Sequence, residues 1–324
     1  MGTIDQLPRA PGRGQRLASA GERRPVVLVW VSVLLFSTGP VLVGASSVSG
    51  PVLSFWRLWF GVVAMGVATV VHVRVTGRRP TATGWSWALR AGVAFGLHQL
   101  AFMSAIKATS VVDVTLVQVL APMFVALLAL PLFGERPGPS FRLWSLVAVV
   151  GAGIVVLAGA AGPEGDPLGM VLAVANVALF AVYFVWSKQG RDHIDVVPFL
   201  FGVVAAAGLT VGAYVVVAGE RIGSATGTDL VIAAAIALVP GALGHFLATW
   251  PLRWVPANIP PVLQLTTPFL AGALAWVFLD EPITALHLLG GLVTVGGVAG
   301  AILSPSGRRL AAPASAGEVG GDGS

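Results

Sequence analysis

Cysteine is absent from this chain, which excludes disulfide bridges and thiolate metal sites. Charge is scarce: only 10% of the 324 residues are Asp, Glu, Lys or Arg, against roughly 25% in a soluble domain. So few charges cannot cover a water-facing surface, and composition places the chain in a lipid bilayer. The motifs of common enzyme classes are missing too. There is no G-x-x-x-x-G-K-[ST] loop and no H-E-x-x-H, and the five histidines (72, 98, 193, 245, 287) are scattered. No G-x-S-x-G nucleophile elbow occurs either. Catalytic residues, metal ligands and cofactors are therefore not expected. A pI near 10.7 would suit nucleic acid, but the basic residues sit in short loops between apolar runs, where they encode membrane topology. No nucleic-acid partner is expected.

What the chain has is hydrophobic length. Hydrophobic residues make up 56% of it, and a helix needs about 20 residues to cross the hydrocarbon. Ten segments qualify: roughly 25–43, 52–72, 86–106, 111–133, 141–160, 168–187, 196–217, 230–250, 257–279 and 284–303. The expected fold is an all-α membrane protein. Residues 1–24 are polar, carry five arginines and lack an apolar core, so they read as a disordered cytoplasmic arm rather than a signal peptide. Residues 304–324, rich in Ala, Gly and Ser, read as a disordered cytoplasmic tail. With both termini inside, Lys107 and Arg221 are the only loop cations left outside; the asymmetry predicts an N-in/C-in orientation.

The second half repeats the first at an offset of about 146. Gln118 meets Gln264, Pro122 meets Pro268, Glu135 meets Glu281, Gly151 meets Gly297 and Lys107 meets Arg253. The repeats, 25–160 and 168–303, hold five spans each. An odd number makes the second enter the membrane from the opposite face, an inverted duplication that many secondary transporters use to rock around a central site.

Two stretches carry a family resemblance. The first runs from Ala105-Ile106-Lys107-Ala108-Thr109-Ser110 through Gln118-Val119-Leu120-Ala121-Pro122 to Gly134-Glu135-Arg136-Pro137. The second has Pro268, then Asp280-Glu281-Pro282-Ile283-Thr284, then Gly290 to Gly300. In order and duplicated, these resemble the EamA-type members of the drug/metabolite transporter superfamily over residues 25–305. The resemblance implies a ten-helix, gradient-driven transporter of small metabolites, often an exporter, in a bacterial plasma membrane. The second copy departs from the first in Trp250-Pro251-Leu252-Arg253-Trp254-Val255-Pro256, which stiffens the link between spans eight and nine.

Polar residues inside the spans are the candidates for solute contact. Gln118 and Gln264 each stand about one turn before a mid-span proline. They line a binding wall or bridge helices. His98 lies in span three and His245 in span eight; each carries a proton, lines the cavity, or bonds a neighbouring helix as a neutral ring. Arg57 binds a substrate anion or snorkels to the interface between Trp56 and Trp59. Tyr183 and Asn176 face the interior of span six, and Ser37-Thr38-Gly39-Pro40 breaks span one. Glu135 and Glu281 cap or brace loops, Lys107 and Arg253 anchor at the interface, and Asp192, His193 and Asp195 form a solvated loop. Gly151, Gly153, Gly296 and Gly300 allow close helix approach. The expected partners are a small amino-acid-like or drug-like solute and the lipid bilayer; the oligomeric state is open between monomer and homodimer. The competing functions are a membrane enzyme acting on a lipid or prenyl group, and a non-transporting sensor.

Overall fold

The structure, a computed structural model, describes residues 25–133, 138–161, 166–190, 192–244, 246–247 and 263–304. Among these every regular element is a helix: α1 (Pro25–Ala45), α2 (Gly50–Thr76), α3 (Ala82–Ala108), α4 (Val111–Gln118), α5 (Ala121–Phe133), α6 (Pro139–Ala161), α7 (Pro167–Gly190), α8 (Val196–Val217), α9 (Gly227–Ile236), α10 (Thr267–Leu279) and α11 (Ala285–Leu303). A short 3₁₀ turn, Ile222–Ser224, precedes α9, which continues as a π-helix over Ala237–Gly244. Among the described residues eight helical segments are long and apolar enough to cross a membrane; two shorter apolar ones, Val111–Val125 and Thr267–Leu279, fall where the fourth and ninth spans are expected. The helix ends define two faces of the bundle. One holds Ser46 and the ends of α3 and α10; the other holds Gly77 and the starts of α3 and α8.

The bundle is apolar outside and largely apolar within, and its few buried polar side chains are held by the protein itself. Val63, Val67, Leu157 and Leu292 are more than 60% exposed, while Ser32, Ser37, Ser54, Asn176 and Thr294 are fully buried. In hydrocarbon, backbone and hydroxyl groups must find partners inside the protein. Ser37 Oγ accordingly donates to the carbonyl of Val33 at 2.8 Å, and Thr294 Oγ1 to that of Gly290 at 2.7 Å. Contrary to the expected break at Ser37–Pro40, α1 is continuous, with Pro40 inside it. A proline removes one hydrogen bond, but the other backbone groups have no better partner in lipid than the next helical turn.

The two repeats meet at mated positions. A Cβ on Gly151 of α6 would lie 2.4 Å from the backbone nitrogen of Thr294 in α11, and one on Gly297 would lie 2.4 Å from that of Ala148 in α6. Gly151 and Gly297 are mates, and so are Ala148 and Thr294, so one contact is made twice about a pseudo-twofold. Gly153 and Gly296, also expected to permit close approach, have nothing within 4 Å of an added Cβ; they lie off the contact face. A second mated crossing joins α2 and α8. Ser49 at the start of α2 donates to Glu220 beyond the end of α8 (2.8 Å), and Asp195 at the start of α8 lies 3.1 Å from His72 near the end of α2. Start meets end in both cases, so the mated helices run antiparallel.

Candidate functional site

The two shorter apolar segments are both interrupted, at mated residues. Helix stops after Gln118, passes through a turn at 119–120 and resumes at Ala121; in the second repeat the turn is at 265–266 and helix resumes at Thr267. The cause is the proline one residue into each new helix. Pro122 has no N–H to offer the carbonyl of Gln118, and Pro268 none for that of Gln264. The freed turn tightens to i−3 hydrogen bonds, Leu120 N to Val117 O at 3.1 Å and Thr266 N to Leu263 O at 3.0 Å. The glutamines are half-buried, and neither side chain hydrogen-bonds a described residue. α4 packs against α10, so the interruptions belong to one part of the bundle. Each places backbone carbonyls, a glutamine amide and a helix N-terminus, with its partial positive charge, in the interior.

A second polar layer crosses α2, α3 and α7. Arg57 Nη1 donates to Gln99 Oε1, and Ser54 Oγ donates to the Gln99 carbonyl at 3.2 Å. Arg57 therefore points at α3 rather than to the interface, and it forms no ion pair with a described residue. The neighbouring His98 is buried, with Nδ1 3.2 Å from the carbonyl of Asn176. A carbonyl can only accept, so Nδ1 carries a hydrogen. Rings enclose the imidazole: Phe95 at 5.6 Å, Phe102 at 6.2 Å and Phe180 at 5.3 Å between centroids. Tyr183 joins the same cluster, 4.8 Å from Phe95. The buried amide of Asn176 makes no hydrogen bond of ordinary length.

The structure thus gathers Arg57, His98, Asn176 and Tyr183 in one layer, and sets Gln118 and Gln264 at the helix interruptions. His245, Glu135 and Arg253 lie outside the described residues, although His245 directly follows the π-helix of span eight. Lys107 lies at the Ser46 face. Its ammonium turns back to the carbonyls of Gly44, at 3.3 Å, and Ser46. Asp195 is committed to His72 and, at 3.8 Å, Arg78, so the loop that ends at Asp195 is stapled to α2.

At the Ser46 face Glu281 takes the capping role expected of it, while sequence reasoning passed over what it caps and the Asp113–His287 pair beside it. Glu281, beyond α10, accepts from the backbone N–H groups of Val111 (3.1 and 2.9 Å) and Val112 (3.4 Å), capping α4 from the other repeat. Asp113 in the first turn of α4 faces His287 in the first turn of α11 at 3.1 Å. The available signals were the spacings Ser110-x-x-Asp113 and Thr284-x-x-His287, which place a polar side chain three residues after a capping hydroxyl.

Known proteins bear on this architecture. The profile of the EamA-like transporter family matches residues 23–157 and again 167–303. The chain belongs to the EamA-like transporter family. An uncharacterized transporter of Archaeoglobus fulgidus is 27% identical over 263 residues, 80% of this chain and 90% of that protein. The uncharacterized transporter YdfC of Bacillus subtilis is 24% identical over 205 residues, 63% of this chain and 66% of its own length. A shorter stretch of 115 residues is 32% identical to solute carrier family 35 member F5 of Pongo abelii, covering 22% of that protein. A crystal structure with 22% sequence identity aligns over 89% of this chain and 99% of its own, with a TM-score of 0.57, and shares the fold. This EamA-like chain is a multi-pass membrane protein, and its relatives point to a transporter rather than an enzyme.

Proposed function

We propose that the chain is a secondary active transporter exporting a small amino-acid-like or drug-like solute by alternating access between two inverted five-helix repeats. In this reading ten helices cross a bacterial plasma membrane with both termini in the cytoplasm, so the Ser46 face is external. The solute sits between the repeats. Gln118 and Gln264 contact it from the two interruptions, His98, Tyr183 and His245 form the wall, Arg57 offers a contact for an anionic group, and His98 and His245 are the proton carriers. The observation that carries the reading is the pair of helix interruptions at mated residues. Irregular backbone at membrane depth is tolerated where it lines a cavity, and discontinuous helices at a repeat interface are a common way to build a midplane solute site.

The test compares metabolite pools inside and outside cells producing the intact protein or the Gln118→Ala, Gln264→Ala double variant. A compound should accumulate outside only with the intact protein. Identical pools, with both proteins present in the membrane, overturn the reading.

A further inference from the structure

The two interrupted segments are tied to one another at the Ser46 face. α4 runs from this face to the first interruption at Gln118, and α10 runs from the second interruption back to it. α4 has eight residues and is about 12 Å long, so its start stands one short helix away from Gln118. Beyond the end of α10 the chain turns at Asp280, whose φ of 56° is left-handed; among the described residues no other non-glycine residue is in that region. Such a backbone is costly for a residue with a Cβ, and here it delivers Glu281 to the other repeat. The Glu281 carboxylate accepts from Val111 N at 3.1 and 2.9 Å and from Val112 N at 3.4 Å. The first N–H groups of a helix have no partner within it. Ser110, the local cap of α4, takes the N–H of Asp113 at 3.0 Å, and Glu281 takes the two that Ser110 leaves. Its charge also suits the positive end of the helix dipole.

Two other carboxylates of the second repeat reach the first at this face. Asp229 accepts from Ser47 N and Oγ, both at 2.7 Å, and Glu220 accepts from Ser49 Oγ at 2.8 Å. These two brace helices that already pack broadly, since α8 and α9 both lie against α2. Of the three, Glu281 alone holds α4. Apolar contacts close the face beneath it. A Cβ on Gly44 of α1 would lie 2.6 Å from Leu279 Cδ1 of α10, and one on Gly272 of α10 would lie 3.5 Å from Val112 Cγ2 of α4. Cavities of about 380 and 480 Å³ lie instead at the Gly77 face, the first lined by Arg78 and Asp192, the second reaching Tyr183. The bundle is shut at one face and hollowed at the other.

We propose that Glu281 is a positioning residue for transport: it clamps α4 to the other repeat and so holds the Ser46 face closed. The inference rests on the transport reading above, in which the solute leaves by this face. For that exit α4 and α10 must part, because their interruptions flank the solute. The clamp suits a contact that is made and broken. It joins one side chain to two N–H groups at a helix end, and water satisfies both sides when they separate, so the net strength is modest.

The absence of cysteine allows single thiol reporters. Thr115→Cys stands in α4 at a site 5% exposed, and Ala275→Cys in α10 at a site 0% exposed; Val203→Cys stands in the Gly77 half of α8 at a site 1% exposed. Each is labelled with a maleimide on purified protein in detergent micelles, with Glu281 intact and with Glu281→Gln. The reagent reaches both faces there, so the result does not depend on orientation. In Glu281→Gln the Thr115 and Ala275 reporters should both label about thirtyfold faster, the scale of a lost charge-assisted contact, while the Val203 reporter stays protected. Glu281→Asp, one methylene shorter, provides the same comparison should Glu281→Gln fail to fold. Acceleration at Thr115 alone is a frayed helix cap, acceleration at all three is a loosened fold, and acceleration at none is a contact without weight; each overturns the proposal. The metabolite pools described above separate it from the transport reading. Paired acceleration with no compound exported by the intact protein supports closure by Glu281 and removes the transport reading; export with any other labelling pattern removes the role of Glu281 alone.

Discussion

The two faces of the bundle derive from one duplicated sequence, and they differ in kind. At the Ser46 face the repeats are joined by buried charge: Glu281 on the N-terminus of α4, Asp113 against His287, and Asp229 on Ser47. At the Gly77 face the position mated with His287 is Phe141, buried in the start of α6, and the polar contacts, His72 and Arg78 with Asp195, are partly exposed. The helix crossings deeper in the bundle kept their symmetry, because a backbone-to-backbone contact tolerates little change in either copy. The ends diverged because a cap or ion pair can be gained at one face without disturbing the crossing below it. Duplication fixed the frame, and substitution at the ends made the faces unequal.

The symmetric part of that comparison should break hardest. Gly151→Ala and Gly297→Ala each drive a Cβ to 2.4 Å from a backbone nitrogen, an atom that cannot step aside without its helix. Each should cost about 3 kcal/mol or fail to fold, with similar losses because the contacts are mates. Gly153→Ala, two residues from Gly151 with open space at its Cβ, should be neutral or slightly stabilising, by up to about 1 kcal/mol from helix propensity. Reversible denaturation in detergent micelles measures all three. Equal changes at Gly151 and Gly153 would mean that the close crossing does not govern Gly151.

The unequal part is next in size. Glu281→Gln keeps the shape of the side chain but removes the charge that α4 holds with two backbone N–H groups. Charge-assisted hydrogen bonds and the helix dipole together make about 2 kcal/mol the expected loss in the same denaturation experiment. No measurable loss would mean that the Ser46 face is held without its carboxylates, and that the asymmetry between faces has no energetic weight.

Which of these features the sequence discloses depends on the kind of contact. Periodicity and length alone give an all-helical membrane protein, and the 146-residue offset pairs Gln118 with Gln264 before any coordinates. The prolines beside those glutamines mark the two interruptions. The same logic misleads at Ser37–Pro40, where α1 continues through its proline. Arg57 illustrates the limit for charged groups. Its partner, Gln99, stands 42 residues away on another helix, and spacing along one helix cannot report that. Asp113 and His287 are hidden for the same reason, since each reads as an ordinary first-turn residue until the fold brings two repeats together. The π-helix of Ala237–Gly244 was equally hidden, as its mate in α3, residues 91–98, is regular α-helix.

The smallest expected effect lies where the two faces still mirror one another. Ser49 and Asp195 are mates, each begins its helix, and each reaches the far end of the other's helix. They do it with different chemistry. Ser49 also caps its own helix, accepting from Val52 N, whereas Asp195 makes no such cap and spends its carboxylate on His72 and Arg78, the latter 77% exposed. Ser49→Ala should therefore cost about 1 kcal/mol, the ordinary value of a lost helix cap, and the cost should be insensitive to salt. Asp195→Ala removes a partly exposed pair worth about 0.5 kcal/mol, and the difference from the parent protein should shrink further as salt is raised, because screening acts on exposed charges first. Denaturation of both variants at low and high ionic strength separates the cap from the ion pair. A salt-dependent loss at Ser49, or a salt-independent one at Asp195, would mean that the mated contacts have exchanged the roles assigned to them here.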